Sequence, residues 1–298
     1  MLGRKVLSDK YVTKLYNIFE KKNWKIWEEG DSSVFDRFCE RLVELESDEE
    51  RDLIIELTNE FLWIQSNMYE EYLLRAFKNL FKSEKWNPEK EKSIYICPLL
   101  PPRDFGKQKS STHMLYLCQG ILLRTYSEFQ EKQVRICETP EILKEHADKI
   151  GALILIDDFI GSGETALECL EYLNFVNVKT YIVALVAQEE GINNISSEGI
   201  SVFTAVSRKK AITDVYPEEE AKEKIKKMIK ISKQLQAPKG MQLGYASTES
   251  LVAMIKTPNN TFPVYWCECK ENSHAPFVRK GNIKVIGSEK KCENQQNF

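Results

Sequence analysis

Two adjacent acids, Asp157 and Asp158, stand three residues before a Gly161-Ser162-Gly163-Glu164-Thr165 run. Neighbouring carboxylates can accept hydrogen bonds from a pair of sugar hydroxyls, or help hold a magnesium ion through its waters. Gly161 and Gly163 let the backbone turn tightly and come close to a ligand. The amides of a loop that opens a helix converge with partial positive charge, which suits a phosphate. Ser162 and Thr165 add hydroxyl donors. Glu164 places a negative charge in this loop; either it points outward or the ligand is less anionic than a phosphate loop normally serves. Asp157 and Asp158 are the candidate catalytic residues, and Gly161, Ser162, Gly163, Glu164 and Thr165 the candidate substrate loop. Read without a ligand, the same stretch is a strand end, a glycine turn and a capped helix.

These residues need a strand before them and a helix after them. Ala152–Ile156 is an unbroken apolar run, as in a strand buried on both faces of a parallel sheet. Thr165 onward has helical spacing. In open α/β sheets, ligands bind beyond the carboxyl ends of the strands, where both acids would sit.

Asp157-Asp158-Phe159-Ile160-Gly161-Ser162-Gly163-Glu164-Thr165 resembles the phosphoribosyl-diphosphate motif of type I phosphoribosyltransferases. The resemblance implies that Asp157 and Asp158 bind the ribose hydroxyls and that Gly161 to Thr165 cradle the 5′-phosphate. It implies magnesium as cofactor. It also implies that the loop after the first strand receives the diphosphate, which here is Pro101 to Ser111. Arg103 and Lys107 would take that role, with Lys109 a third cation, because a guanidinium fork suits phosphate oxygens. An exposed basic turn is the competing reading. Type I enzymes carry a long hairpin lid after this region, for which residues 128–150 leave little room. A closer resemblance spans nearly the whole chain. A helical first half, Asp-Asp-Phe-Ile-Gly-Ser-Gly and a later Pro-Asn-Asn-Thr-x-Pro are similar to phosphoribosyltransferase-like proteins of bacterial conflict systems. Some of these are encoded beside retron reverse transcriptases with a winged-helix protein. That implies an antiphage effector held in check by partners: a reverse transcriptase with its RNA/DNA product, and the winged-helix protein.

Composition sets the class. The 298 residues, 42% hydrophobic and 29% charged, suit a globular protein of one large or two ordinary domains. The net charge of −3 gives no global basic field for nucleic acid, leaving only local patches at 103–109 and 208–210. The expectation is a cytoplasmic protein with no membrane span and no secretory leader. Cys97, Cys118, Cys137 and Cys169 lie in apolar runs and read as buried free thiols. Cys267-Glu-Cys269 has metal-ligand character, but three histidines leave few co-ligands.

The fold class expected is α/β, a phosphoribosyltransferase-like doubly wound, mostly parallel sheet with an N-terminal helical domain. The division expected is 1–90 helical cap or docking domain, 91–279 α/β domain, and 280–298 polar tail. Residues 9–84 read as wholly helical, with Trp24, Trp27 and Trp63 as core candidates. This region either docks a partner or a second copy, or only covers one face of the sheet. Strands are expected at Ser93–Leu99, Gln133–Cys137, Lys179–Ala187 and Ile200–Val206. Ser207-Arg208-Lys209-Lys210 would then stand at the ligand rim or form a solvated charge run. A helix is expected at Glu218–Gln236, another at Thr248–Lys256, and a last strand at Val264–Cys269. The Asn259-Asn260 pair between Pro258 and Pro263 could read a base edge or make a turn. The function expected is binding of a phosphoribosyl diphosphate- or nucleotide-like ligand, with chemistry at its anomeric carbon. A non-catalytic sensor or assembly subunit using the same pocket is the alternative, and nucleic-acid binding through the basic loops a third reading.

Overall fold

A computed structural model describes residues 6–87, 92–107, 109–130, 133–174, 176–268 and 273–279. The chain opens with α1 (Asp9–Lys22), α2 (Val34–Glu44) and α3 (Asp48–Asn59). A two-residue strand β1 (Leu62–Trp63) and α4 (Tyr69–Phe81) follow. The sheet then begins with β2 (Ser93–Pro98), continues through α5 (Ser110–Thr125) and the short α6 (Ser127–Gln130), and adds β3 (Val134–Ile136). A 3₁₀ stretch, Pro140–Lys149, leads into β4 (Ile150–Ile160) and α7 (Glu164–Tyr172). Next come β5 (Thr180–Gln188), α8 (Glu189–Ser197), β6 (Ser201–Arg208), α9 (Glu218–Gln234) and β7 (Val252–Ala253).

The main sheet is five-stranded in the order β3-β2-β4-β5-β6, and every pairing is parallel. The doubly wound sheet read from the apolar runs is therefore present. Strand alternation assigns its faces. Ile94, Ile96, Ile154, Ile156 and Val183 point into one core with α4 and α5. Tyr95, Cys97, Leu153, Leu155 and Ile182 point into another with α7 and α8. The chain runs from β2 out to β3 at the edge, then back across β2 to β4. That reversal creates a switch point at the carboxyl ends of β2 and β4, where a crevice opens.

The segment before the sheet is four helices and one strand rather than helix throughout. Ser33 caps α2. Its hydroxyl accepts from the Asp36 N–H at 3.1 Å, while the Asp36 carboxylate accepts from the Ser33 N–H at 3.0 Å. α1–α3 share a core with α9 and the C-terminal residues Phe262, Tyr265 and Phe277. Trp24 and Trp63 pack edge to face in this region, 5.7 Å apart, whereas Trp27 is 73% exposed. α4 lies on the sheet instead, so this helix covers a face.

Two expected elements are absent. Thr248–Lys256 is not a helix. Ala246, Ser247 and Glu249 have φ of 53°, 53° and 50°, which no α-helix accommodates. The Leu62 and Ile64 N–H groups donate to the carbonyls of Leu251 and Ala253, both at 2.9 Å. β7 thus pairs in parallel with β1. The five-residue apolar run Leu251–Ile255 suits a strand or a buried helix equally, and the partner strand decides it. Val264–Cys269 is not a strand either. Pro263–Tyr265 forms a 3₁₀ turn, and the Cys267 N–H donates to the Pro263 carbonyl at 2.8 Å. Cys269 and the tail 280–298 lie outside the described residues.

Arg41 joins the helices to the C-terminal segment. Its side chain is fully buried, pairs with Glu44 at 2.8 Å and donates to the Cys267 carbonyl at 2.6 Å and the Ser273 hydroxyl at 3.0 Å. Replacing Arg41 by Ala strands a carboxylate and a buried carbonyl. Urea unfolding of Arg41→Ala should show a loss of about 3 kcal/mol. A loss within error of zero would mean that this network does not hold the two segments together.

Candidate functional site

β4 carries Asp157 and Asp158 near its carboxyl end, and their side chains reach the crevice from opposite faces of the strand. Asp158 Oδ2 accepts from the Tyr69 hydroxyl at 3.0 Å. Asp157 Oδ1 accepts from the Ser110 hydroxyl at 3.0 Å and from the Asp158 N–H at 2.9 Å. α4 and the first residue of α5 therefore hold one carboxyl each. The Tyr69 oxygen also accepts the Ile255 N–H at 3.1 Å, which ties the C-terminal segment to the same pair. Burial pushes both carboxyls above the usual range, and the charge of Asp158 raises Asp157 further. Burial, and then Asp158, raises the Tyr69 phenol, so it stays protonated and donates.

The glycine loop is clamped from two sides. A Cβ on Gly161 would lie 2.3 Å from the amide of Asn260, and one on Gly191 would lie 2.2 Å from the Gly161 carbonyl oxygen. Asn194 donates to the Ser162 carbonyl at 2.9 Å. Gly163 has φ +89° and caps α7. These contacts hold the loop at the edge of the crevice, which residues 161–165 line.

The crevice measures about 690 Å³ and is lined by Asp157, Asp158 and all of 161–165. Arg103, Asn259 and Asn260 border it too, as do Tyr69, Lys109 and Ser110. Arg103 is ion-paired with Glu168 of α7. Lys107 is set back from the lining and pairs with Asp104 at 3.0 Å, while Lys109 holds the other oxygen of that carboxylate at 2.9 Å. Glu164 accepts from the Tyr245 hydroxyl at 2.5 Å. Asn260 donates to the Thr248 hydroxyl at 3.1 Å, and the Asn259 carbonyl accepts the Tyr245 N–H at 2.8 Å. The asparagines thus form a packed turn whose side-chain tip abuts Gly161.

The basic run 207–210 and the cysteines of the apolar runs lie elsewhere. Arg208 donates to the Glu60 carbonyl, and Lys210 pairs with Glu190 at 3.2 Å. None of 207–210 borders the crevice. Cys97, Cys118, Cys137 and Cys169 are free and buried, and burial raises all four thiols, Cys137 to about 11 and Cys169 to about 12. They are poor nucleophiles.

Four lining residues carried no signal in the sequence reading. Tyr69 fits the apolar spacing of α4, and only its hydroxyl, aimed at Asp158, distinguishes it from a core residue. Ser110 opens α5 and spends its hydroxyl on Asp157. Tyr245 and Arg279 arrive from segments with no periodicity.

A family model described as PRTase-CE matches residues 11–279. The chain belongs to this family. It is phosphoribosyltransferase-like, and the family match spans the helices as well as the sheet. Orotate phosphoribosyltransferase from Aeropyrum pernix overlaps it at 12% identity and a TM-score of 0.28, over 65% of this chain and 93% of that one. The AQ2163 protein from Aquifex aeolicus does so at 12% identity and 0.29, over 61% and 87%. At such scores neither overlap adds to the family assignment. No curated protein matches the chain. Among the described residues, no helix is long and apolar enough to cross a membrane.

Two measurements follow from this geometry. Gly161→Ala forces its new methyl against Asn260 and should cost about 1–3 kcal/mol in unfolding experiments. Asn260→Ala removes the obstacle, so the double variant should lose less than the sum of the singles. Strict additivity would separate the two positions. The second concerns charge. Asp157 has a folded-state value above its ordinary 3.8, so ionising it costs more in the folded protein than in the unfolded chain. That cost is absent below the unfolded value, and grows as pH rises toward the folded one. Asp157→Asn should therefore stabilise the ligand-free protein by ~1 kcal/mol near neutrality, the gain shrinking toward pH ~4. Thermal unfolding across that range checks the sign; a variant less stable at every pH contradicts it.

Proposed function

We propose that the crevice binds a phosphoribosyl diphosphate- or nucleotide-like ligand and acts at its anomeric carbon. One observation carries this reading: two carboxyls and a clamped glycine loop meet at the end of β4, beside the switch point of the sheet. Asp157 and Asp158 would accept the two ribose hydroxyls, whose O–H groups would add to the neutral donors that already hold these carboxyls. The amides of 161–165 would hold the 5′-phosphate. Substitution at the anomeric carbon passes through an oxocarbenium-like state, so positioning the sugar and stabilising the departing group supply the catalysis. Arg103 would reach that group by leaving Glu168, and Lys107 and Lys109 by leaving Asp104.

Magnesium fits this donor set in a limited way. Asp157 and Asp158 offer two carboxylates, and the described residues contain no cluster of three or more His, Cys, Asp or Glu able to hold a metal. The remaining oxygens would come from the ligand and water. When bound, the ion would neutralise charge on a diphosphate leaving group.

The biological reading is an antiphage effector, retron-associated, whose activity partners restrain. It is supported by the Asp157-to-Gly163 stretch together with Pro258-Asn259-Asn260-Thr261-Phe262-Pro263, and by a helical half larger than the sheet requires. α1–α3 would offer the docking face, to a reverse transcriptase complex with its RNA/DNA product, a winged-helix protein or a second copy. A cytoplasmic location accords with such partners. The alternative, a nucleotide-sensing or assembly subunit, is favoured by Glu164 in the loop and by the internal pairing of Arg103, Lys107 and Lys109.

The deciding experiment incubates the protein, alone and with partners, with magnesium, phosphoribosyl diphosphate and a nucleotide pool. Turnover should fall by about a hundredfold or more in the Asp157→Ala/Asp158→Ala variant. Identical products from both proteins would sink the enzymatic reading. Tight calorimetric binding without turnover in any partner combination would select the sensor.

A further inference from the structure

The wall of the crevice formed by residues 255–260 runs from the acidic pair to the glycine loop. Ile255 is held through Tyr69 to Asp158, and Asn260 abuts Gly161. Midway, the Thr257 hydroxyl donates to the Phe277 carbonyl at 3.2 Å. Phe277 is fixed again by its N–H on the Tyr265 carbonyl at 2.8 Å, and its ring stacks on Phe61 at 5.0 Å. Two residues on, Arg279 borders the crevice. The backbone anchored at Phe277 thus brings Arg279 to the wall.

Arg279 differs from the other arginine of the crevice. Arg103 is paired with Glu168, and the neighbouring lysines 107 and 109 share Asp104. Arg279 is half-buried, its Nη1 is withdrawn from water without a hydrogen-bond partner, and among the described residues no carboxylate pairs with it. Burial lowers its pKa with no acid opposing the effect. A partly desolvated cation without a partner is costly, and a pairing anion would remove that cost. Lys256 borders the same wall, so an anion arriving there meets a second cation.

We propose that Arg279 binds a second oxyanion of the ligand, a carboxylate or phosphate carried on the group attached to the sugar, separate from the 5′-phosphate. This rests on the phosphoribosyl reading of the crevice and narrows it. The ligand class becomes nucleotides whose base or other aglycone is itself anionic. The subsite stands with 255–260 and 279, whereas Arg103 and Lys109 line the crevice from another segment and would answer the diphosphate. Guanidinium geometry suits either oxyanion, with two parallel N–H donors.

Calorimetry with two matched pairs tests it: adenosine 5′-monophosphate against adenylosuccinate, and uridine 5′-monophosphate against its 6-carboxylate. In at least one pair the full-length wild type should bind the carboxylate-bearing member about tenfold more tightly, the worth of one charge-assisted hydrogen bond. Arg279→Gln should bring that ratio close to one and leave the affinity for the plain mononucleotide unchanged. Arg279→Lys, which keeps the charge but not the fork, should fall between. Arg279→Gln should also unfold no earlier than wild type, since it removes an unpaired buried charge. Equal weakening of both members of a pair would place Arg279 on the shared 5′-phosphate and overturn the inference. So would wild-type ratios near one in both pairs, with mononucleotide binding and the phosphoribosyl reading intact. If wild type binds none of the four ligands, that reading falls and the inference falls with it.

Discussion

Two carboxyl groups, one residue apart at the end of a buried strand, set the terms for the surrounding structure. Neither Asp157 nor Asp158 has a cationic partner among the described residues. Both are held by neutral donors: the hydroxyls of Tyr69 and Ser110 and one backbone N–H. Such donors orient a carboxyl without cancelling its charge, so the pair stays hard to ionise together. This is a poor arrangement for stability and a good one for receiving sugar hydroxyls or a hydrated cation. Nearby, the cations Arg103, Lys107 and Lys109 are paired with other acids, Glu168 and Asp104. The crevice thus keeps its two signs of charge apart.

The donors come from distant parts of the chain, which explains why the helices cannot be treated as an appendage to the site. Tyr69 belongs to α4, and the loop carrying Ile255 is aligned by the pairing of β7 with β1. Asn260, anchored by Thr248, presses on Gly161. Arg41 joins α2 to the Cys267 carbonyl, and Phe277 sits in the core of α1–α3 while its carbonyl meets Thr257. A shift of the helices against the C-terminal segment would therefore be felt at Asp158, at the glycine loop and at Arg279. Contiguous packing of this kind can carry coupling between a docking face and a site, provided that the element has two arrangements.

The central unit was legible in the amino-acid order because its physics is local. An unbroken apolar run can only be buried on both faces, a glycine pair permits the turn, and helical spacing follows directly. The cues for β4, the loop and α7 all lie within residues 150–172, so residue type and spacing marked the strand and the acids at its end, although its hydrogen bonds go to β2 and β5. The helices of the first half were equally readable from the periodicity of their apolar residues.

What tertiary structure decided was every element whose state depends on a remote partner. Residues 251–255 carry no period of their own, and Val252–Ala253 became a strand because Leu62 and Ile64 supply the hydrogen bonds. Val264 and Tyr265 turned instead of extending because Pro263 starts a 3₁₀ turn that buries both in the helical core. Tyr69 is indistinguishable from a packing aromatic until Asp158 is placed 3.0 Å from its hydroxyl. Arg279 is an unremarked cation until the fold brings it to the crevice with no acid paired to it among the described residues. Sequence alone determined the acidic pair and the glycine loop, since both follow from short-range covalent order. Which side chains complete the crevice was settled only by packing, since contacts across 89 or 186 positions leave no periodic trace in the chain.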